Sequence, residues 1–242
     1  MDNLAGRKIL ITGASRRIGK HLAIAAAKMG ASILMHYGHS SSDAVNTVKE
    51  LKEMGADVEA IQADFKDPKS AIIQIRDALA QSGELFALVN NASLFQSSRF
   101  QDTTLDDWQT HMNINLTMPF LLCQLYAEKA LRPGGRIINI LDWRALRPGR
   151  DHFPYTIANA ALAAMTKSTA IALAPDITVN ALALGAILPP SDGELDFDIT
   201  KNIPARRWAE MKEVEDTFLF LLNAPAYITG EIIHVDGGRH LV

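Results

Sequence analysis

The sequence lacks every device that staples or anchors a chain. Its one cysteine, Cys123, excludes an intramolecular disulfide framework and is what a reducing compartment permits. No apolar run reaches the ~18 residues of a membrane span. The start, MDNLAGRKILITG, has no signal-peptide apolar core and runs almost at once into a strand pattern. A cytoplasmic protein with no membrane partner is expected. Charge of one sign is missing too: 24 Lys and Arg stand against 27 Asp and Glu, a net of −3. That balance leaves no footprint for nucleic acid. The seven histidines form no H-E-x-x-H and no carboxylate cluster, so no metal site is expected. What the chain does have is 48% hydrophobic residues over 242 positions. A chain of this length buries roughly 70–75% of its unfolded surface and folds as one domain, residues 1–242.

Apolar β-rich runs alternate with helical stretches throughout. Strands are expected at Lys8 to Thr12, Ser32 to Tyr37, Val58 to Ala63, Leu85 to Asn90, Gly135 to Leu141, Ile177 to Leu184 and Glu231 to Val235. Helical patterns fill the gaps, including segments from Leu105 to Leu131 and an alanine-rich helix from Pro154 to Leu173. The strands are continuously apolar rather than alternating, as when helices cover both sheet faces. This predicts an α/β fold: a doubly wound, Rossmann-type parallel sheet of about seven strands. Ligands then bind beyond the carboxyl ends of the strands, at the switch point. The least patterned stretch, residues 188–203, is expected to be a substrate lid.

The first strand ends in ITGASRRIGK. Small residues at Gly13, Ala14 and Ser15 let backbone approach a pyrophosphate, and the following helix supplies N–H donors and a positive dipole. By itself this is also the sequence of an ordinary tight turn, since it is not G-x-G-x-x-G. NAD-selective folds place an acid at the end of the second strand to hold the adenine ribose. Here Tyr37-Gly38-His39-Ser40 carries no carboxylate, while Arg16, Arg17, His39 and Ser40 suit a 2′-phosphate. NADP is therefore expected over NAD, the alternative reading being a solvated basic loop. Cys123 reads as inert core, and Trp108, Trp143 and Trp208 as packing residues, Trp143 with a second possible role beside the substrate.

Taken in order, Thr12-Gly13-x-x-x-Arg17-x-Gly19, Asn90-Asn91-Ala92, Asn115, Tyr155 opening a long helix, and the closing TGEIIHVDGG resemble the short-chain dehydrogenase/reductase family. The resemblance runs from about Lys8 to Gly238. Finer details resemble its pteridine reductases. Arg17 stands where most members carry glycine, HYGHS follows the second strand, and NNAS with Phe95 two residues on replaces NNAG. Asp142 occupies the position of the catalytic serine.

The resemblance implies NADP(H) and a set of roles. Gly13, Ser15, Arg16, Arg17 and Ile18 line the pyrophosphate side, and Tyr37, His39 and Ser40 the adenine ribose. Asp64 and Phe65 lie at the adenine edge, although Asp64 is equally readable as an acid near the cap of the helix that Pro68 opens. Asn91, Ala92, Ser93, Tyr155, Asn159, Gly185 and Ile187 complete the cofactor set. Asn115, Asp142, Tyr155 and Asn159 form the catalytic group, and Arg17, Ser93, Phe95, Asp142 and Tyr155 meet the substrate. A homodimer or homotetramer with a small-molecule substrate is also implied.

One position departs from the family pattern. The family's tyrosine gives a proton as hydride arrives, and a lysine four residues later lowers its pKa; here position 159 is asparagine. Removing a cation ~4 Å from a developing tyrosinate forfeits roughly 4 kcal/mol at an effective dielectric of ~20. That is about three pKa units, leaving Tyr155 near ~10, or higher beside an ionised Asp142. Lys167 shares the helix face but lies about 18 Å away at 1.5 Å rise per residue. Arg144 and Arg17 are the alternative cations. The expectation is an NADP-dependent reductase of a dihydropterin-like ring. The alternatives are a cofactor-binding homologue with impaired turnover, acting as sensor or structural subunit, and a carbonyl or 3-oxoacyl reductase.

Overall fold

The apolar runs become seven parallel strands in the computed structural model, which describes residues 4–189 and 197–242. They are β1 (Lys8–Ile11), β2 (Ser32–Tyr37), β3 (Val58–Gln62), β4 (Ala87–Asn90), β5 (Gly135–Asp142), β6 (Ile177–Leu184) and β7 (Ile232–Val235). The spatial order is β3-β2-β1-β4-β5-β6-β7. The chain winds outward from β1 to β3, then returns to β4 beside β1 and winds the other way. The crevice above β1 and β4 is the switch point where such folds bind ligands.

Among the described residues, seven α-helices cover the sheet: α1 (Arg17–Lys28), α2 (Ser41–Glu53), α3 (Pro68–Ala80), α4 (Leu105–Met112), α5 (Met118–Lys129), α6 (Phe153–Leu173) and α7 (Met211–Asn223). Side chains alternate faces along each strand. Ile9 and Ile11 of β1 join a core with Leu22 of α1 and Phe218 of α7. Leu10 points the other way, toward Ile75 of α3 and Leu122 of α5. Local chemistry starts the helices where the sequence signals them. Asp67 accepts the Ser70 N–H ahead of Pro68, and Thr104 and Asp107 form a reciprocal capping box.

Two features go beyond the sequence reading. The helical run from Leu105 is split by a π turn at Asn113–Thr117, which carries the buried Asn115. A polar chain also crosses the core: Asn90 Nδ2 donates to Asn139 Oδ1 (2.8 Å), and Asn139 Nδ2 donates to Thr166 Oγ1 (2.9 Å). It ties β4, β5 and α6 into one register, since any slip would leave buried amides unpaired. Within the expected lid, residues 190–196 lie outside the described part. Phe197–Asn202 form a 3-10 helix, and Ile203 is buried. No described helix is long and apolar enough to cross a membrane.

Candidate active site

The turn after β1 is locked from three sides. Thr12 Oγ1 accepts the N–H groups of Asn91 and Ala92, both at 2.9 Å. Asn91 Nδ2 donates back to the carbonyls of Thr12 (2.8 Å) and Gly13 (3.1 Å). His36, buried in β2, completes the clamp. Its Nδ1 accepts the Gly13 N–H (3.2 Å), its Nε2 donates to Ala63 O (2.9 Å), and its carbonyl accepts Ala14 N–H (3.0 Å). Its ring stacks on Phe65 at 3.9 Å. Burial pushes the His36 imidazole down to about 4, so it is neutral near pH 7 and Nδ1 stays free to accept.

Above this turn α1 begins with no capping side chain and no acid in its first turn. Uncapped N–H groups and the helix dipole make such a terminus attractive to an anion. Gly13 has φ +62°, and a Cβ there would meet Ala92 Cα at 2.8 Å. At Gly19 a Cβ would collide with the Gly13 carbonyl and the Asn91 amide. Gly19→Ala is therefore expected to displace the turn and cost about 1–3 kcal/mol of stability, with dinucleotide affinity lost as well. Denaturant melts and a binding titration check both effects.

The second half of the site lies at the carboxyl end of β5. Asp142 closes that strand, and its Oδ1 accepts the Arg144 N–H (2.8 Å) to start a 3-10 turn, Trp143–Ala145. Across from it, Pro154 in the first turn of α6 starts the helix that buries Tyr155. The Tyr155 hydroxyl shares this corner with Asp142 and Ser93, both of which act on its acidity. Burial, then the Asp142 charge, drives the tyrosine well above its ordinary value, against the pull of Arg144 and Ser93. Burial also raises the Asp142 carboxyl, opposed by Arg144 and Arg239. Of the two groups, Asp142 is the stronger acid by the ordinary range of its kind, and burial moves its carboxyl upward.

Asn159 is fully engaged with this corner. Its Oδ1 accepts the Asp142 N–H (3.1 Å), and its Nδ2 donates to Tyr155 O (3.1 Å). Asn115 similarly holds Leu94 by both backbone groups, at 2.8 and 3.0 Å, which positions the loop bearing Ser93 and Phe95. Phe95 stacks on His152 (3.9 Å), meets Tyr155 edge-on (4.8 Å), and still keeps 41% of its surface exposed.

Comparison with known proteins gives the family. The family described as enoyl-(acyl carrier protein) reductase matches residues 13–240. The chain belongs to the short-chain dehydrogenase/reductase family. Among curated relatives, a 3-oxoacyl-[acyl-carrier-protein] reductase of Synechocystis is 34% identical, covering 98% of each chain. A blue fluorescent protein from a metagenomic library, solved with NADPH, superposes at TM-score 0.90 with 34% identity over 98% of this chain and 99% of its own. A FolM alternative dihydrofolate reductase 1 from Brucella canis, complexed with NADP, gives 0.87 with 31% identity over 99% and 96%.

In this family member, the residues named from sequence fall into three groups. Asn115, Asp142, Tyr155, Asn159, Ser93 and Phe95 gather at the β5–α6 corner. Gly13, Ser15, Arg16, Arg17, Ile18, Asn91 and Ala92 surround the α1 turn, where Ser15 O accepts the buried Thr47 hydroxyl. Arg17 adopts φ +53°, an αL conformation uncommon outside glycine, and donates to Pro189 O, the last described residue before position 190. Tyr37, His39 and Ser40 follow β2, where His39 Nε2 lies 3.1 Å from Asp64 Oδ2.

Some named side chains face inward. Phe65 and Ile187 are buried in the two cores, so only their backbone can meet a ligand. Gly185 packs on Asp236, where a Cβ would come within 2.6 Å of its Cα. Asp67, not Asp64, caps α3. Cys123 is buried, with its thiol pushed up to about 12. Sequence reasoning missed His36, Asp151, His152 and Arg239. For His36 the signal was present, as a lone polar residue inside the apolar run SILMHY.

Proposed function

We propose that the chain is an NADPH-dependent reductase acting on a small flat ring, with a dihydropterin as the substrate class. The buried Asp142–Tyr155 pair beside the half-exposed Phe95 carries this reading. The uncapped, acid-free first turn of α1 suits a pyrophosphate. The segment after β2 carries no acid of its own, although Asp64 of the neighbouring strand end pairs with His39, and the exposed Arg16 suits a 2′-phosphate. The NADPH and NADP in the structural relatives support the same cofactor here. When bound, NADPH supplies the hydride.

The side chains supply the proton. Tyr155 gives its hydroxyl proton to the ring nitrogen as the neighbouring carbon is reduced, and the Asp142 carboxyl refills Tyr155. The C=N bond becomes CH–NH, and the negative charge comes to rest on Asp142 until solvent returns a proton. Tyr155 never has to persist as a tyrosinate, which its burial opposes. Phe95 offers the apolar surface against which a flat ring stacks. Asn159 holds the Asp142 backbone to α6 rather than lending charge. Exposed Phe120 of α5 and Ile157 and Ile171 of α6 suit the expected homo-oligomer.

The Synechocystis relative favours a second reading, reduction of a 3-oxoacyl thioester. NADPH oxidation with a dihydropterin, 3-oxoacyl thioesters and simple ketones separates them, alongside NADPH titration by tryptophan fluorescence. Turnover is expected to be fastest with the dihydropterin. Faster turnover of the thioester establishes the second reading. Tight NADPH binding with no turnover makes the chain a cofactor-binding subunit without enzymatic activity.

A further inference from the structure

We propose that Arg144, acting through Asp142, supplies the positive charge that a lysine at position 159 would otherwise lend to the proton donor. The proposal rests on the reading above, in which Asp142 and Tyr155 deliver the proton together.

The other candidate cations are ill placed. Lys167 is three helical turns from Tyr155, and Arg17 is turned toward Pro189. Arg144 is held at the site from several directions. Its Nη1 lies 3.6 Å from Asp142 Oδ1, the same oxygen that accepts its own backbone N–H. Its Nη2 lies 3.3 Å from Asp151 Oδ2, an atom that His152 Nδ1 also approaches at 2.9 Å. The guanidinium rests 5.2 Å from the Trp143 ring centre and 5.8 Å from that of Phe95, and the side chain is 15% exposed. Arginine suits such a place, because its planar, weakly hydrated head tolerates burial against aromatic faces.

The groups facing Asp142 come from four elements. Arg144 belongs to the 3-10 turn after β5, and Tyr155 to α6. Asp151 lies beyond Arg144, in the loop before α6. Arg239 reaches in from the C-terminal turn, 4.3 Å over the Trp143 ring, and its carbonyl accepts Arg147 Nη1 at 3.4 Å. Two arginines thus face Asp151 and Asp142. Counting Arg144, Arg239, Asp151 and Asp142 alone, these four carry one net positive charge while Asp142 holds its proton, and none once the proton has left; His152 pairs with Asp151 at the outer edge and Asp236 lies behind Arg239. It is complementary to the end of proton transfer, not to the start, which is the condition for a rate effect. A lysine at 159 would stabilise a tyrosinate; this cluster stabilises the neighbouring carboxylate instead. Arg144 is therefore a positioning residue, working on the tyrosine through Asp142.

The test is titration of the Asp142 carboxyl carbon by 13C-aspartate NMR, with its resonance assigned by its loss in D142N. An opposite charge within ~4–6 Å lowers a carboxyl by one to three units. Arg144→Met is thus expected to raise the midpoint by at least about one unit, and Arg144→Lys to restore at least half of that. Arg144→Gln serves as the neutral variant should the methionine variant fail to fold. In turnover assays the neutral variant is expected to move the falling alkaline limb of kcat upward by the same amount, with plateau kcat ten-fold or more lower and KM for NADPH within about three-fold. An unmoved midpoint in a folded neutral variant overturns the proposal, even if activity falls. Wild-type turnover in D142N would instead overturn the underlying reading of the proton source.

Discussion

Asp142→Asn is expected to lower kcat roughly a thousand-fold at neutral pH, within the range general acids contribute, while NADPH affinity changes by less than about three-fold. The substitution is nearly isosteric. The new amide oxygen still accepts the Arg144 N–H that Asp142 Oδ1 holds at 2.8 Å. What it lacks is a titratable proton. Tyr155→Phe is expected to fall by a similar factor, because it removes the hydroxyl between Asp142 and substrate. The double variant should then be little worse than either single one, as for residues acting as a unit. Steady-state kinetics with fluorescence titration of NADPH checks all three. Losses that multiply would mean two independent donors instead of one relay.

The second large effect concerns stability in acid. Buried His36 has its pKa lowered from 6.5 to about 4 by desolvation, despite the bond to Ala63 that favours its charged form. Between those values the unfolded chain holds a proton that the folded chain does not. Stability is therefore fully present above about pH 6.5 and declines as pH falls toward 4, by up to about 3 kcal/mol from this group alone. Protonation at Nδ1 would also remove the acceptor of the Gly13 N–H, so the dinucleotide turn loosens together with the fold. Denaturant unfolding from pH 7 to 4.5 measures the slope. His36→Asn should be less stable at pH 7 but flatter across the acid range. An unchanged slope in that variant would assign the acid sensitivity to other groups.

The strands and their parallel arrangement were legible because buried parallel strands are apolar on both faces, as KILI and ITVNALAL are. Helix starts at Pro68 and Leu105 were legible because capping is local chemistry. The corner between β5 and α6 was legible only in part. Asp142, Tyr155 and Asn159 could be named, yet the absence of a lysine read as a missing charge with no replacement located. By sequence Arg144 is only one of two candidate cations. Its place beside Asp142 depends on a 3-10 turn and on Asp151 and Arg239, which are distant in sequence or chemically unremarkable there. Asn159 shows the same limit: its two bonds fasten a strand end to a helix, a long-range relation that no spacing rule encodes. The π turn at Asn115 was hidden because it shares the helix's apolar period.

The pH dependence of kcat, at saturating NADPH and with the best substrate, is the most direct test of the proton source. Wild-type rate is expected to fall as pH rises through the Asp142 pKa, which burial raises. In Asp142→Asn that limb should be absent, on a rate already reduced. A limb of the same midpoint persisting in Asp142→Asn, or undiminished turnover in that variant, would contradict the account.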